Sequence, residues 1–139
     1  MYQEREKLIK HWFNMWLHKS DFDIDDIFVS DCVYIESWGP KYTGIKAIMH
    51  WFNEWNTRGR VLAWDIKQFF HKDSQTVVEW YFKNSMNDGR IENFDGVSIV
   101  TWSSNGKIEQ LKEFGCKLQN YNPYENGDTP ELKNTEMWT

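Results

Sequence analysis

The sequence has no excess of positive charge and no long apolar run. Its 139 residues carry 16 Lys and Arg against 21 Asp and Glu, a net charge of −5, which argues against a duplex-DNA or phosphate-backbone partner. No stretch approaches the roughly 18 uninterrupted apolar residues of a membrane span. Met1 is followed by Gln3, Glu4 and Arg5, unlike a signal sequence. These absences predict a soluble, folded, cytoplasmic domain that binds neither nucleic acid nor membrane.

Cysteine is scarce, and the usual spacings of metal ligands are absent. Cys32 and Cys116 allow one disulfide, but two reduced thiols agree better with the lack of a secretion signal. The four histidines are scattered, without a CxxC or HExxH spacing, so no metal site is expected. No glycine-rich phosphate loop or other cofactor motif occurs, so any chemistry is expected to be cofactor-free acid–base work.

Apolar residues at three- and four-residue spacing dominate the first third of the chain and predict helices. A first helix is predicted over 3–19, and Asp23 is the predicted cap of a second, short helix. A third helix is predicted to begin at Gly44 and to end near Gly59. Between the second and third helices, the alternation of Cys32–Ser37 predicts a strand.

From Val61 onward the apolar period changes to two, which is typical of strands. Hairpin signals separate four predicted strands, which cover 61–70, 76–86, 91–102 and 107–121. The order of elements predicts an α+β fold with helices on one face of a curved, mostly antiparallel sheet. Residues 1–121 are predicted to form one domain, and residues 122–139 lose all periodicity and are predicted to form a mobile tail.

Two-residue turns at Asp73-Ser74, Asp88-Gly89 and Asn105-Gly106 predict the register of the four strands. Directly paired residues point to the same side of a sheet. The register therefore predicts a polar row across four strands, surrounded by apolar neighbours that include Trp64 and Tyr81: Gln68, Glu79, Ser98 and Glu113.

The polar row has two interpretations that the sequence leaves open. Glu79 and Glu113 are either solvated at a sheet edge or paired with lysines, or they form the floor of a pocket between helices and sheet. In a pocket, burial and like charge raise at least one pKa, as a general acid or base requires. In that case the catalytic candidates are Glu79 and Glu113, and the ligand-binding candidates are Ser37, Trp38, Trp64, Gln68, Tyr81 and Ser98.

The opposite face of the sheet is also predicted to be apolar, with Trp80, Phe82, Val97, Ile99 and Phe114 on it. A sheet that is apolar on both sides needs two covers. The helices supply one cover, and a second copy of the chain is expected to supply the other. The sequence therefore predicts a homodimer through the outer sheet face.

Several segments resemble SnoaL-like proteins of the nuclear transport factor 2-like superfamily, which includes ketosteroid isomerases and polyketide cyclases. The segments are Asp31–Trp38, Gly44–Ile48, Glu79–Phe82, Phe94–Ser98 and Gly106–Phe114. The resemblance covers residues 3–121. It implies a cone-shaped, cystatin-like fold with a curved sheet wrapped around three helices, an internal cavity, and a homodimer packed through the sheet.

The function that the resemblance implies is broad, because this fold hosts isomerases, cyclases, dehydratases and binding modules. By resemblance, the catalytic aspartate of ketosteroid isomerases falls on Ser37, their hydrogen-bonding acid on Ser98 and their helix-one tyrosine near Phe13. All three residues differ, so that constellation is not expected. The first hypothesis is a cavity protein for a small, largely apolar metabolite, with acid–base chemistry of the isomerase, cyclase or lyase type. The alternative is a non-catalytic ligand-binding or dimeric protein-interaction module.

Overall fold

The computed structural model describes residues 2–20 and 23–133 and confirms the α+β fold. The helices are α1 (Tyr2–His18), α2 (Ile24–Ile27) and α3 (Ile45–Arg58). The strands are β1 (Phe28–Ile35), β2 (Lys41–Thr43), β3 (Gly59–Lys72), β4 (Gln75–Met86), β5 (Ile91–Trp102) and β6 (Ile108–Cys116). No helix within the described residues is long and apolar enough to cross a membrane.

The six strands form one curved, unclosed sheet in the order β2-β1-β6-β5-β4-β3. Neighbouring strands are antiparallel except β1 and β6, which run parallel. The long strand β3 carries register shifts between Val61 and Ala63 and between Ile66 and Gln68. An extra residue on one strand bends it and increases its twist, which curves the sheet towards the helices.

Helices α1 and α3 cover the inner face of the sheet with aromatic side chains. The stripe predicted on α1 is buried, and Trp12, Phe13 and Trp16 are at most 3% exposed. Phe52 of α3 packs against Trp16, with ring centroids 4.6 Å apart. Because both stripes have helical periodicity, each helix buries one face and leaves its charged face in solvent.

The predicted strand pairing is confirmed in two places and wrong in a third. Ser98 pairs with Glu113, and Gln68 pairs with Glu79. Between β4 and β5, however, the residue opposite Ser98 is Val78 rather than Glu79. Glu79 therefore lies on the outer face, and the continuous polar row does not form.

The cause is the length of the loop between β4 and β5. The Met86 amide donates a hydrogen bond to the Arg90 carbonyl at 2.8 Å, which closes a loop of three residues, 87–89, where two were predicted. Gly89 has a φ of +94°, a conformation that glycine adopts without steric cost. Because side chains alternate along a strand, a shift of one residue moves every side chain of β4 to the other face.

The same shift changes the predicted dimer face. Trp80 faces the helices, where it is 1% exposed, and Phe82 packs on Trp64 with centroids 5.5 Å apart. Placing these two side chains on the outer face was therefore wrong. Val97 and Phe114 remain on the outer face, where they pair with each other.

The end of the chain departs from the sheet earlier than predicted, since β6 ends at Cys116 rather than at residue 121. Residues 122–133 continue in turns, and the Lys133 amide donates to the Tyr121 hydroxyl at 2.9 Å. Residues 134–139 lie outside the described residues, so the mobile tail stays a prediction. Both cysteines are free thiols; Cys32 is buried and Cys116 exposed.

Candidate functional site

Two glutamates lie together where the parallel pairing of β1 with β6 ends. Ile35 pairs with Lys112, so Glu36 and Glu113 follow side by side on the inner face of the sheet. A tyrosine is hydrogen-bonded to each glutamate. We call the four residues Tyr34, Glu36, Tyr42 and Glu113 the carboxylate site.

A chain of hydrogen bonds from the core holds Glu113. The Trp12 Nε1–H donates to the Tyr34 hydroxyl at 3.3 Å, and the Tyr34 hydroxyl donates to Glu113 Oε2 at 2.5 Å. An indole nitrogen only donates, so the proton of the Tyr34 hydroxyl is available for the carboxyl group. Trp12 and Tyr34 are completely buried, whereas Glu113 is only partly buried.

Burial raises the pKa of Glu113 to about 8. The negative charge of Glu36 raises this pKa further, and the hydrogen bond from Tyr34 opposes the rise. Burial also raises the pKa of Tyr34 well above its ordinary value. At neutral pH the site therefore holds a protonated carboxyl group on a fixed hydrogen-bonding partner.

The second glutamate is held in a similar way but nearer to solvent. The Tyr42 hydroxyl donates to Glu36 Oε2 at 2.7 Å, and the Tyr42 ring stacks on Trp51 with centroids 4.4 Å apart. Burial raises the pKa of Glu36, and the hydrogen bond from Tyr42 opposes this. Glu36 and Tyr42 are both partly exposed, so a ligand can reach them.

Aromatic rings form the walls next to the carboxylate site. The centroid of Trp51 is 4.9 Å from that of Tyr34. Near Glu113 on β6, a Cβ built on Gly115 would lie 3.2 Å from the Phe94 ring and 3.4 Å from Ser37 Oγ. Phe94 and Ser37 therefore pack closely over Gly115, which is two residues beyond Glu113 on β6.

The structure brings only part of the predicted site together. Glu113 and Ser37 lie at the same end of the inner face, and Trp38 is 77% exposed beside them in the chain. Trp64 is on the inner face, stacked on Phe13 at 3.8 Å. Ser98 is also on the inner face but completely buried, and its Oγ accepts a hydrogen bond from the Trp80 indole at 2.9 Å.

Three other predicted site residues point away from the helices. Gln68 Nε2 donates to Glu79 Oε1 at 2.6 Å on the outer face, and Tyr81 lies on that face as well. Glu79 lines a shallow concavity of about 240 Å³ together with Val97 and Phe114. The grouping of these residues with Glu113 was wrong, because the β4 register moves them to the other face.

Sequence reasoning missed Glu36. The alternation of Cys32–Ser37 already places Glu36 on the same side as Tyr34. Its neighbour Glu113, however, is 77 positions away along the chain and is brought close by a parallel pairing that no hairpin turn predicts. Within residues 2–20 and 23–133, no cluster of three or more His, Cys, Asp or Glu side chains suits a metal ion.

The curved six-stranded sheet with its three helices has the nuclear transport factor 2-like fold. The chain belongs to the SnoaL-like domain family, whose model matches residues 9–111. No curated protein matches it.

Three solved structures illustrate the fold. A candidate isomerase from Bacillus subtilis has a TM-score of 0.72 at 11% identity, covering 83% of this chain and 88% of that one. A candidate polyketide cyclase from Xanthomonas campestris pv. campestris has a TM-score of 0.67 at 15% identity, covering 81% and 90%. A protein with a ketosteroid isomerase-like fold from Catenulispora acidiphila, in complex with trimethylamine, has a TM-score of 0.66 at 13% identity, covering 80% and 85%. At these identities the similarity shows the fold alone.

Proposed function

We propose that this chain is a cofactor-free acid–base enzyme of the isomerase, cyclase or lyase type, acting on a small, largely apolar metabolite at the carboxylate site. The observation that carries the proposal is Glu113, a partly reachable carboxyl group with a pKa of about 8. A catalytic pKa near the working pH is what proton transfer requires. The candidate isomerase and polyketide cyclase among the structures of this fold support the same class of reaction.

In this proposal Glu113, Tyr34 and Glu36 each have a role. Glu113 Oε2 accepts from Tyr34, and within the described part of the chain Oε1 has no hydrogen-bond partner, which leaves it for the ligand. The protonated carboxyl gives its proton to the ligand, and the resulting carboxylate keeps the hydrogen bond from Tyr34. The carboxylate then takes a proton back from the ligand, which completes an isomerisation without a net change in protons. The charge of Glu36 favours the protonated starting state.

The substitution Glu113→Gln tests this function, because it keeps the size of the side chain and removes its titrating proton. Small molecules that co-purify with the protein are identified by mass spectrometry, and turnover of the identified compound is then measured. We expect a loss of roughly 100-fold or more in turnover with the fold intact. Glu109→Gln, at an exposed position of the same strand, is the matched control. Equal turnover by both variants would refute the role of Glu113.

A second candidate is a non-catalytic binding module for a small organic cation. The partly exposed rings of Tyr42 and Phe94 near the two glutamates suit a cation, which is attracted to ring faces, and a structure of this fold holds trimethylamine. Choline and its uncharged isostere 3,3-dimethylbutan-1-ol separate the two candidates in a calorimetric titration. A cation site binds choline at least tenfold more tightly than the uncharged isostere, and the difference is larger above pH 8, where Glu113 is ionised. Equal affinities for the two compounds would exclude the cation site.

We also propose that two copies of the chain pair through the outer sheet face. That face carries Val97 and Phe114, and Phe114 is 43% exposed. A salt bridge between Lys67 and Asp95, at 3.1 Å, lies on the same face. An apolar centre with charges around it is typical of interfaces between protein chains.

A further inference from the structure

A small cavity lies where the end of α3 meets the loop between β4 and β5. Its volume is about 210 Å³. Clefts that hold drug-sized molecules measure roughly 300–1,000 Å³, so this cavity suits a small ion or one polar group of a larger molecule. We call it the arginine cavity, after the two guanidinium groups among its lining residues: Arg58, Met86, Asn87, Asp88 and Arg90.

Hydrogen bonds between the helix and the loop bring the two arginines together. The Asn87 amide donates to the Arg58 carbonyl at 2.8 Å, and Asn87 Nδ2 donates to the Thr57 carbonyl at 2.9 Å. Both carbonyls belong to the last turn of α3, where they have no partner within the helix. The loop is therefore fixed to the end of α3, and Arg90 follows the loop directly, beside the buried side chain of Met86.

The guanidinium group of Arg58 is held in place before any ligand binds. Its Nε and Nη2 donate to the two carboxylate oxygens of Glu54, at 2.7 and 2.9 Å, one helical turn earlier. A guanidinium group has five N–H donors in a planar fork, and this pairing uses one edge of the fork. Within the described part of the chain, Nη1 of Arg58 has no hydrogen-bond partner, which leaves it for a ligand.

Arg90 is held in a similar way by Asp88. The Asp88 carboxylate accepts from the Arg90 amide at 3.0 Å and from Arg90 Nε at 2.8 Å. The bond to the backbone fixes Asp88 in the loop, and the bond to the side chain orients the guanidinium group. Among residues 2–20 and 23–133, neither Nη atom of Arg90 has a partner. Two oriented guanidinium groups with remaining N–H donors therefore line one cavity.

We propose that the arginine cavity binds the oxyanion group of a small molecule, a carboxylate or a phosphate, between Arg58 and Arg90. Guanidinium groups match such anions because two parallel N–H groups reach two oxygens at once. The carboxylates of Glu54 and Asp88 are half-exposed, and exposed ion pairs of this kind are weak. These pairs therefore orient the arginines and still allow an anion to bind, with millimolar affinity because they cancel part of the positive charge.

The charge of Arg58 also acts on the carboxylate site. Burial raises the pKa values of Glu36 and Tyr42, and the positive charge of Arg58 opposes both rises. An anion that cancels part of this charge therefore raises both pKa values. The arginine cavity is defined without reference to Glu113, so the proposal goes beyond the acid–base function and does not depend on it.

The test follows the arginine Nε–H resonances of the full chain by ¹⁵N–¹H NMR while inorganic phosphate replaces chloride at constant ionic strength. Arg60 is exposed and does not line the cavity, so its signal is an internal control. We expect saturable shifts of Arg58 and Arg90 at millimolar phosphate and no shift of Arg60. A titration with acetate then shows whether a carboxylate binds as well as a phosphate. No saturable shift with either anion, or equal shifts of all three arginines, overturns the proposal.

Three variants identify the groups that bind the anion. Arg90→Gln is expected to weaken phosphate binding roughly tenfold or more, whereas the matched control Arg60→Gln leaves it unchanged. Asp88→Asn keeps the oxygen that accepts from the Arg90 amide and removes a competing charge, so we expect binding to tighten roughly threefold or more. Equal affinities of Arg90→Gln and Arg60→Gln, or an unchanged affinity of Asp88→Asn, would overturn the proposal. Glu113→Gln is expected to bind phosphate like the wild type, which keeps this test distinct from that of the acid–base function.

Discussion

At neutral pH the carboxyl group of Glu113 keeps a proton that an exposed glutamate has already lost. Its surroundings explain the difference, because burial and the neighbouring Glu36 both disfavour the charged form. Tyr34 opposes these effects and holds the carboxyl group in one orientation. Burial and the charge of Glu36 therefore make Glu113 a candidate acid, and Tyr34 orients it.

Stability is expected to fall as the pH rises from 4.5 to 8, because over that range the folded chain holds a proton on Glu113 that the unfolded chain has lost. The slope is at most about 1.4 kcal/mol per pH unit for this group. The raised pKa of Glu36 acts in the same direction. Urea unfolding at several pH values measures the slope in the wild type and in Glu113→Gln. Identical slopes in the two proteins would contradict the raised pKa.

Tyr34→Phe is expected to raise the pKa of Glu113 further, since it removes the hydrogen bond that lowers it. The variant also leaves the Trp12 indole without an acceptor, which costs about 1–3 kcal/mol of stability. A ¹³C NMR titration of the carboxyl group and urea unfolding check both effects. Tyr42→Phe, at the more exposed Glu36, is the control and should leave the titration of Glu113 nearly unchanged. A lower pKa of Glu113 in Tyr34→Phe would count against the hydrogen-bonded arrangement.

Among the elements, β5 carries a glycine that the inner packing requires, Gly96. Gly96 of β5 pairs with Trp80 of β4 and with Gly115 of β6. A Cβ built on Gly96 would overlap the Trp80 ring and lie 2.7 Å from the Phe114 carbonyl oxygen. The missing side chain therefore lets the large Trp80 indole lie flat against the sheet.

Gly96→Ala is expected to destabilise the protein by about 1–3 kcal/mol, because the backbone oxygen beside the new methyl group has no room to move away. Thermal or urea unfolding measures the change. Asn93→Ala, at an exposed position of the same strand, is the control and should stay within about 0.5 kcal/mol of the wild type. A Gly96→Ala variant as stable as this control would show that the close packing of Trp80 is wrong.

At the scale of the whole molecule, the sheet has two different faces. The inner face meets α1 and α3 through aromatic side chains. The outer face combines partly exposed Val97 and exposed Phe114 with the salt bridge between Lys67 and Asp95. In the single chain this second face is in contact with solvent, which is the physical reason to expect a second copy on it.

Phe114→Glu is expected to convert a dimer into a folded monomer, since it places a charge in the centre of the proposed interface. The contrasting variant is Trp80→Glu, which should unfold the chain because Trp80 is 1% exposed inside it. Sedimentation at micromolar concentration and circular dichroism distinguish dissociation from unfolding. A wild-type protein that sediments as a monomer under these conditions would remove the proposed interface.

The sequence by itself determined the helices, the strands other than β2, and the pairing of β3 with β4 and of β5 with β6 at Gln68–Glu79 and Ser98–Glu113. The aromatic stripe of α1 and the alternation of β5 and β6 depend on residues that are close in the chain. Such patterns have the period of the structure they form, so they can be read without the rest of the fold. Ser98 pairs with Glu113 as predicted although the loop between β5 and β6 has three residues, 104–106, because a register shift between Thr101 and Trp102 offsets the extra residue. The resemblance to SnoaL-like proteins additionally predicted that the curved sheet wraps around the helices.

Only the tertiary structure decided the composition of the site. The loop 87–89 accommodates one residue more than its Asp-Gly pair predicts, and this moved Glu79 to the outer face. The parallel pairing of β1 with β6 placed Glu36 beside Glu113. Neither result follows from a local pattern, because a one-residue shift preserves the alternation of each strand. The pKa of Glu113 likewise depends on burial and neighbours, which exist only once distant segments have packed together.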